Sequence, residues 1–345
     1  MMAAIPRTPS IADAQARRLT RRDAARRVAA CAVLLATAGT SRAQAQVAFT
    51  RPIRVISPFG PGLGPDNAMR VLAEKISAQI GQQVLVDSRP GGNGLIAMNA
   101  LKQAAADGYT LLLLSNAHLT INPHLFTSAA YKVEGVLEPV STMYRAPFYI
   151  AVSATGPHKS LGQLIAYAKA APGRVMYSVP YMGSPPHLGG ALLEYLTGTR
   201  MMPVGYKDNQ MVTSVAAGEV DFTLATLSTL SPLVKAGKLR LLAIAQQNRS
   251  STEPDIPTSE EAGGPKDWIV QSWGGLVAPK GAPADVLRRI GEEMRRALAS
   301  PDIVDRFQAA GQLPVGSTPA QMADLIRQDD KFHASLIKRI GMKPE

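Results

Sequence analysis

Beyond residue 45 the chain has no cysteine; its single cysteine is Cys31. That excludes a disulfide framework and a thiol nucleophile from this stretch. Aromatic residues are scarce, at 5%, which argues against a surface that stacks successive bases. No apolar run reaches the roughly 20 residues of a membrane-spanning helix. The five histidines, at 118, 124, 158, 187 and 333, are scattered and show no metal-ligand spacing, so no metal or cofactor is expected. Neither a G-x-S-x-G elbow nor H-E-x-x-H occurs. His118, Ser184 and Asp221 are the residue types of a hydrolase triad, but no local motif joins them. The expectation is a protein that is not an enzyme, with a secreted hydrolase kept as one alternative.

What is present starts at the amino terminus. Arg17, Arg18, Arg21, Arg22, Arg26 and Arg27 form a basic block, Val28 to Gly39 is uncharged, and Ala43-Gln44-Ala45 follows. A basic region, a short apolar region and an A-x-A site in that order read as a secretory signal peptide over residues 1–45, cleaved near Ala45. The expected location is periplasmic. Arg21-Arg22 leaves Sec and twin-arginine export both open. Residues 1–45 carry eight arginines and two aspartates, a net +6 of the chain's +11. The remaining +5 is a mild charge that favours anionic ligands without implying nucleic acid.

The remaining 300 residues suit two domains, and strand-like and helix-like segments alternate as in an α/β fold. Ile53 to Ser57 reads as a strand, Asp66 to Ile80 as a helix closed by Gly81, and Val84 to Val86 as a strand. The turn RPGGNG opens a helix from Leu95 to Ala106, and Tyr109 to Leu114 is a strand covered on both faces. A second set starts near Tyr149. Ser160 and Gln163 form a capping box there, and strands follow at 175–179, 201–205, 220–225 and 239–245. The polar stretch Asn248 to Lys266 reads as a loop or a lobe-crossing segment. After Gly274 to Ala278 the chain reads as mainly helical, with helices expected over 283–298, 301–310 and 319–340. The domain division is 46–149 plus 271–345 as one lobe and 150–270 as the other.

In open α/β sheets ligands sit beyond the carboxyl ends of the strands, which singles out three loops. The first holds Phe59, Gly60, Gly62, Leu63, Gly64 and Asp66. Its glycines admit a close backbone approach, and the helix start offers N–H groups to an anion. It is neither a dinucleotide fingerprint nor a P-loop; the plain alternative is a tight turn with Asp66 as N-cap. The second holds Ser115, Asn116 and His118, whose small polar groups can hydrogen-bond a carboxylate. The third holds Tyr181, Gly183, Ser184 and His187. For each, the bland alternative is local capping.

At these loops the chain resembles the receptor component of tripartite tricarboxylate transporters, the Bug family. The resemblance runs through RPIRVISPFGPGLGPDNAMRVLAEKI, DSRPGGNGLIA, DGYTLLLLSNAHLTINPHLF, PGRVMYSVPYMGSPPHLGGALLEYLTG, VGYKDNQMVTSVAAGEVDFTLAT, VKAGKLRLLAIA and SWGGLVAPKGAPADVLRRI. It implies a periplasmic-binding-protein-like fold, with two α/β lobes, a ligand cleft between them, and carboxyl-terminal helices packed on lobe 1. It implies a small organic acid as ligand, and membrane permease subunits or a sensor kinase as partner. A monomer with no nucleic-acid partner is expected. It adds Asn122, Tyr206, Asp208 and Asp221 to the candidate positions. Leu63 and Pro65 depart from the family's pattern; Pro65 lacks an N–H and Leu63 is bulky. Asp208 stands where the family prefers glycine; facing the cleft it would disfavour a carboxylate there, and the alternative is that it pairs with Lys207. These departures point away from citrate, towards a monocarboxylate or a ligand with an apolar body. A sensing receptor that feeds a two-component system is the competing reading.

Overall fold

The computed structural model describes residues 48–344 apart from Gly62 and 207–209. Residues 1–45, where a signal peptide is expected, lie outside them, as do two of the candidate site positions, Gly62 and Asp208.

The described chain opens with β1 (Ile53–Ser57), α1 (Gly64–Ile80), β2 (Val84–Ser88), α2 (Leu95–Lys102) and β3 (Thr110–Ser115). β1 pairs in parallel with β2 on one side and β3 on the other. Parallel neighbours need helical crossovers, and α1 and α2 supply them. β3 is the continuous apolar run of the sequence. Leu111 to Leu114 are all within 1% of complete burial, as a strand covered on both faces requires. α1 ends as expected at Gly81, in the left-handed region at φ 68°.

A π-turn over Ala117–Ile121 and the short α3 (Asn122–Leu125) lead to β4 (Leu137–Ser153), a strand of 17 residues. The second set of elements, expected near Tyr149, therefore begins inside a strand that is already running. Pro139 and Pro147 hide it in the sequence, because proline normally demotes a strand. The structure accommodates Pro139 beside an irregularity, where the pairing with β9 (Gln271–Pro279) slips between Pro139 and Ser141.

Beyond β4 come α4 (Leu161–Ala170), β5 (Met176–Val179), α5 (Pro185–Thr197), β6 (Met202–Gly205), α6 (Gln210–Ala217), β7 (Phe222–Thr226), α7 (Leu227–Lys235) and β8 (Leu239–Ile244). β5 lies parallel between β6 and β7. The carboxyl half of β4, from Phe148, pairs antiparallel with β7 and β8. Its amino half, to Pro147, pairs with β9, which also lines β3. One strand thus belongs to two groups of strands, here called the first and second halves.

The chain finishes with α8 (Ala284–Leu298), α9 (Pro301–Ala309), β10 (Leu313–Pro314) and α10 (Pro319–Arg339). Each half has its own apolar clusters, one with Val55, Met69, Leu72, Leu113 and Met294, another with Ile150, Leu164, Val179, Leu193 and Trp268. α10 joins the first half through Met322, as the resemblance implies. Its last turns also reach the second cluster through Leu336 and Ile337. Its start carries the capping box, Thr318 with Gln321. At α4 only half of the expected box forms: Ser160 caps Gln163, whose side chain turns to the Lys159 N–H instead. Among the described residues no helix is long and apolar enough to cross a membrane.

Candidate functional site

The carboxyl ends of β1, β3, β5 and β7 all release the chain into a helix or helical turn. In the second loop His118 is almost fully buried. Its Nδ1 accepts the Ser115 N–H at 3.2 Å and lies 2.9 Å from the Ser115 hydroxyl. A backbone N–H only donates, so the neutral ring carries its proton on Nε2. Burial holds this imidazole down to a pKa of about 4, because the charged form loses its hydration. Phe59 meets the ring edge-on, with centroids 5.5 Å apart. Gly94 lies beneath it: a Cβ there would stand 2.3 Å from His118 Cδ2. Asn122 donates to the Asn93 carbonyl at 3.1 Å, which ties this loop to the RPGGNG turn.

The third loop repeats the arrangement. His187 Nδ1 accepts the Gly183 N–H at 2.8 Å. This ring too is neutral, held to about 4 by burial, and protonated on Nε2. Ser184 is wholly buried and caps α5 by accepting the His187 N–H. Its hydroxyl keeps one proton to donate. Tyr181 is half-buried, and desolvation pushes its phenol up to about 12. Gly183 is pressed against Leu125 of α3, so the third loop touches the helical segment that follows the second.

Asp66 is fully buried. Its carboxylate accepts from Arg70 Nε at 2.8 Å and from the Ser88 hydroxyl at 2.7 Å. It is not the N-cap; that position is Leu63, which makes no side-chain cap bond. Both carboxylate oxygens are committed to fixing the start of α1. Tyr206 follows β6 and donates its N–H to Val179, at the carboxyl edge. Asp221 is misplaced by the sequence argument. It opens β7 beside Met176, whose N–H its carboxylate accepts at 2.8 Å. That is the amino end of β5 and β7, opposite the end from which Ser184 leaves, so the structure does not bring Asp221 into the loop cluster.

A cavity of about 810 Å³ opens between the halves. The first half contributes Leu63, Gly64 and Gln312, the second Ser228 and Thr229. Gly64 faces Ser228 closely, since a Cβ on it would lie 3.1 Å from the Ser228 hydroxyl. α7 starts at Thr226 with no side-chain cap, as α1 does at Leu63. First-turn amides have no intrahelical acceptor, so two uncapped helix starts border one cavity. Pro65 removes one donor from α1. Buried Gln312 leaves its Oε1 without a partner. Asn67 and Thr213 also line it; the rest of the described wall is mainly apolar, through Val71, Leu233 and Phe307, with Arg306 as the lone arginine or lysine among the described lining residues. Ser228 and Thr229 escaped the sequence reading although they follow a strand just as the three chosen loops do. Gln312 gave no local signal at all.

Residues 68–342 match the family described as tripartite tricarboxylate transporter family receptor. Protein BugT of Bordetella pertussis is 34% identical over 321 residues, which cover 92% of this chain and 98% of BugT. The solved structure of R. palustris Rpa4515 with adipate superposes with a TM-score of 0.80 at 28% identity, covering 86% of this chain and 99% of that one. That of the periplasmic binding protein BugD gives 0.76 at 25% identity, covering 86% and 100%.

Proposed function

The chain belongs to the tripartite tricarboxylate transporter family receptors, and from that premise we propose that it is an exported periplasmic receptor that captures a small carboxylate between two lobes. In this reading 46–149 plus 271–345 form one lobe and 150–270 the other, with β4 and β9 as the crossing strands. The ligand is handed as cargo to the membrane permease subunits of a tripartite transporter. A sensor kinase is the alternative recipient, and the receptor acts as a monomer.

The observation that carries the reading is the cavity where Gly64 of α1 faces Ser228 of α7. Two uncapped helix starts provide N–H groups and partial positive charge for an anion, and hydroxyls supplement them. Charge-neutral donors recognise a carboxylate without a buried cation. The apolar remainder of the wall suits an aliphatic or aromatic body. Adipate, bound by the Rpa4515 protein, has that character: two carboxylates on a methylene chain. Citrate places three carboxylates around a compact, hydroxylated centre and leaves the apolar wall unused.

A thermal-shift screen of the protein stripped of co-purified ligand tests this. Aliphatic and aromatic mono- and dicarboxylates are expected to raise the melting temperature, and citrate to have little effect. Strong stabilisation by citrate with none by the apolar-bodied acids would overturn the ligand class. Turnover of any added ester or amide would overturn the receptor reading itself.

A further inference from the structure

Both tryptophans of the chain, Trp268 and Trp273, are buried, and both commit their indole N–H to the wall of one cavity of about 370 Å³. Trp268 donates to the Gly189 carbonyl at 2.8 Å and Trp273 to the Asp329 carboxylate. This cavity lies among α5, the lead-in to β9, and α10. It shares no lining residue with the cavity at Gly64 and Ser228, and its volume is that of a small-ligand pocket.

Its chemistry is the reverse of the carboxylate cleft. Asp267 and Asp329 line it, and none of the described lining residues is lysine or arginine. Trp273 occupies one oxygen of Asp329 and leaves the other. Asn116, 2% exposed, donates its side-chain N–H to the Gln271 carbonyl at 3.1 Å and keeps an unpartnered Oδ1. His333 adds no opposing charge, since burial lowers its pKa and favours the neutral ring. Among the described lining residues the charged side chains are therefore negative, and Asn116 Oδ1 is a free buried acceptor beside the amides of Gln271 and Gln328. Around them Leu188, Leu192 and Leu336 are apolar, and Phe332, half-exposed, offers a ring face. A carboxylate would be repelled here. A cation with N–H donors would meet two carboxylates and an aromatic face.

We propose that this cavity binds a small organic ammonium ion with an apolar body, at a site separate from the carboxylate cleft. The same wall includes Asn116 of the second loop and Pro185, next to the capping Ser184 of the third. An occupant held there bears on both loops.

The tryptophans make the test intrinsic. The purified chain is titrated with phenethylammonium chloride at constant ionic strength, with 2-phenylethanol as the neutral isostere and tryptophan emission as the readout. A saturable change is expected with the ammonium ion and not with the alcohol. The pair Asp267→Asn with Asp329→Asn keeps an acceptor for Trp273 and is expected to weaken binding about tenfold or more. Asp267→Asn alone, at an exposed position, is expected to weaken it severalfold and covers the case in which the pair fails to fold. No saturable change, equal binding of the alcohol, or unchanged affinity in Asp267→Asn would each overturn the proposal.

Discussion

The backbone N–H of Gly183 donates to Nδ1 of His187 across 2.8 Å. Ser115 does the same for His118 at 3.2 Å. Each bond needs a neutral ring with its proton on Nε2, and burial enforces that state. Two loops from different halves of the fold thus present the same donor in the same protonation state.

Stability should fall on acidification for this reason. His118 and His187 have folded values near 4 against an ordinary 6.5. Between those values the unfolded chain binds more protons than the folded one, so stability is lost as pH falls from 6.5 towards 4. The contribution is on the order of 2 kcal/mol per ring once partial exposure is allowed for. Urea denaturation across this range checks it; a flat profile would contradict the neutral-ring assignment.

Gly94→Ala is expected to cost about 2–4 kcal/mol. Its φ of 91° is strained for any side chain, and a Cβ would strike the His118 ring at 2.3 Å. His118→Ala should recover part of the loss when the two are combined, since it removes the clash and leaves only the backbone strain. Full additivity in a double-mutant cycle would mean that the two residues are not in contact.

Ser184→Ala removes the α5 cap and is expected to cost about 1 kcal/mol of stability and to weaken carboxylate binding. Asp66→Ala strands the Ser88 hydroxyl and Arg70 and should cost about 2–3 kcal/mol, loosening the start of α1 and with it the ligand affinity. Asp324, an exposed carboxylate paired to Arg327 on α10, is the control; Asp324→Ala is expected within about 0.5 kcal/mol of the parent. Calorimetric titration with adipate should rank the first two clearly below the third, and equal affinities would move the cleft elsewhere.

Ser228→Leu fills the space opposite Gly64. It should reduce adipate affinity roughly tenfold or more by occlusion while leaving circular dichroism unchanged. Wild-type affinity would remove the cavity between α1 and α7 from the binding site.

Much of the fold was legible because it rests on local rules. Leu111 to Leu114 announced a strand buried on both faces, Gly81 a helix end, and Ser160 a helix start. β4 was not legible, because Pro139 and Pro147 oppose its local preference and only the pairing with β9, β7 and β8 overrides them. For the candidate site, the sequence marked the loops after β1, β3 and β5, since a strand that ends in small polar residues before a helix has that pattern wherever it lies.

The sequence by itself determined the order of most strands and helices, the residue types at the loop tips and, through many motifs in series, the family. Tertiary structure decided which of those residues meet. Asp66 is spent on Arg70 and Ser88, Asp221 stands at the wrong end of β7, and Gln312, distant in sequence, closes the cavity beside Gly64. Hydrogen-bond partners and desolvation depend on which surfaces pack together, and β4, shared between the two halves, sets that packing through contacts remote along the chain.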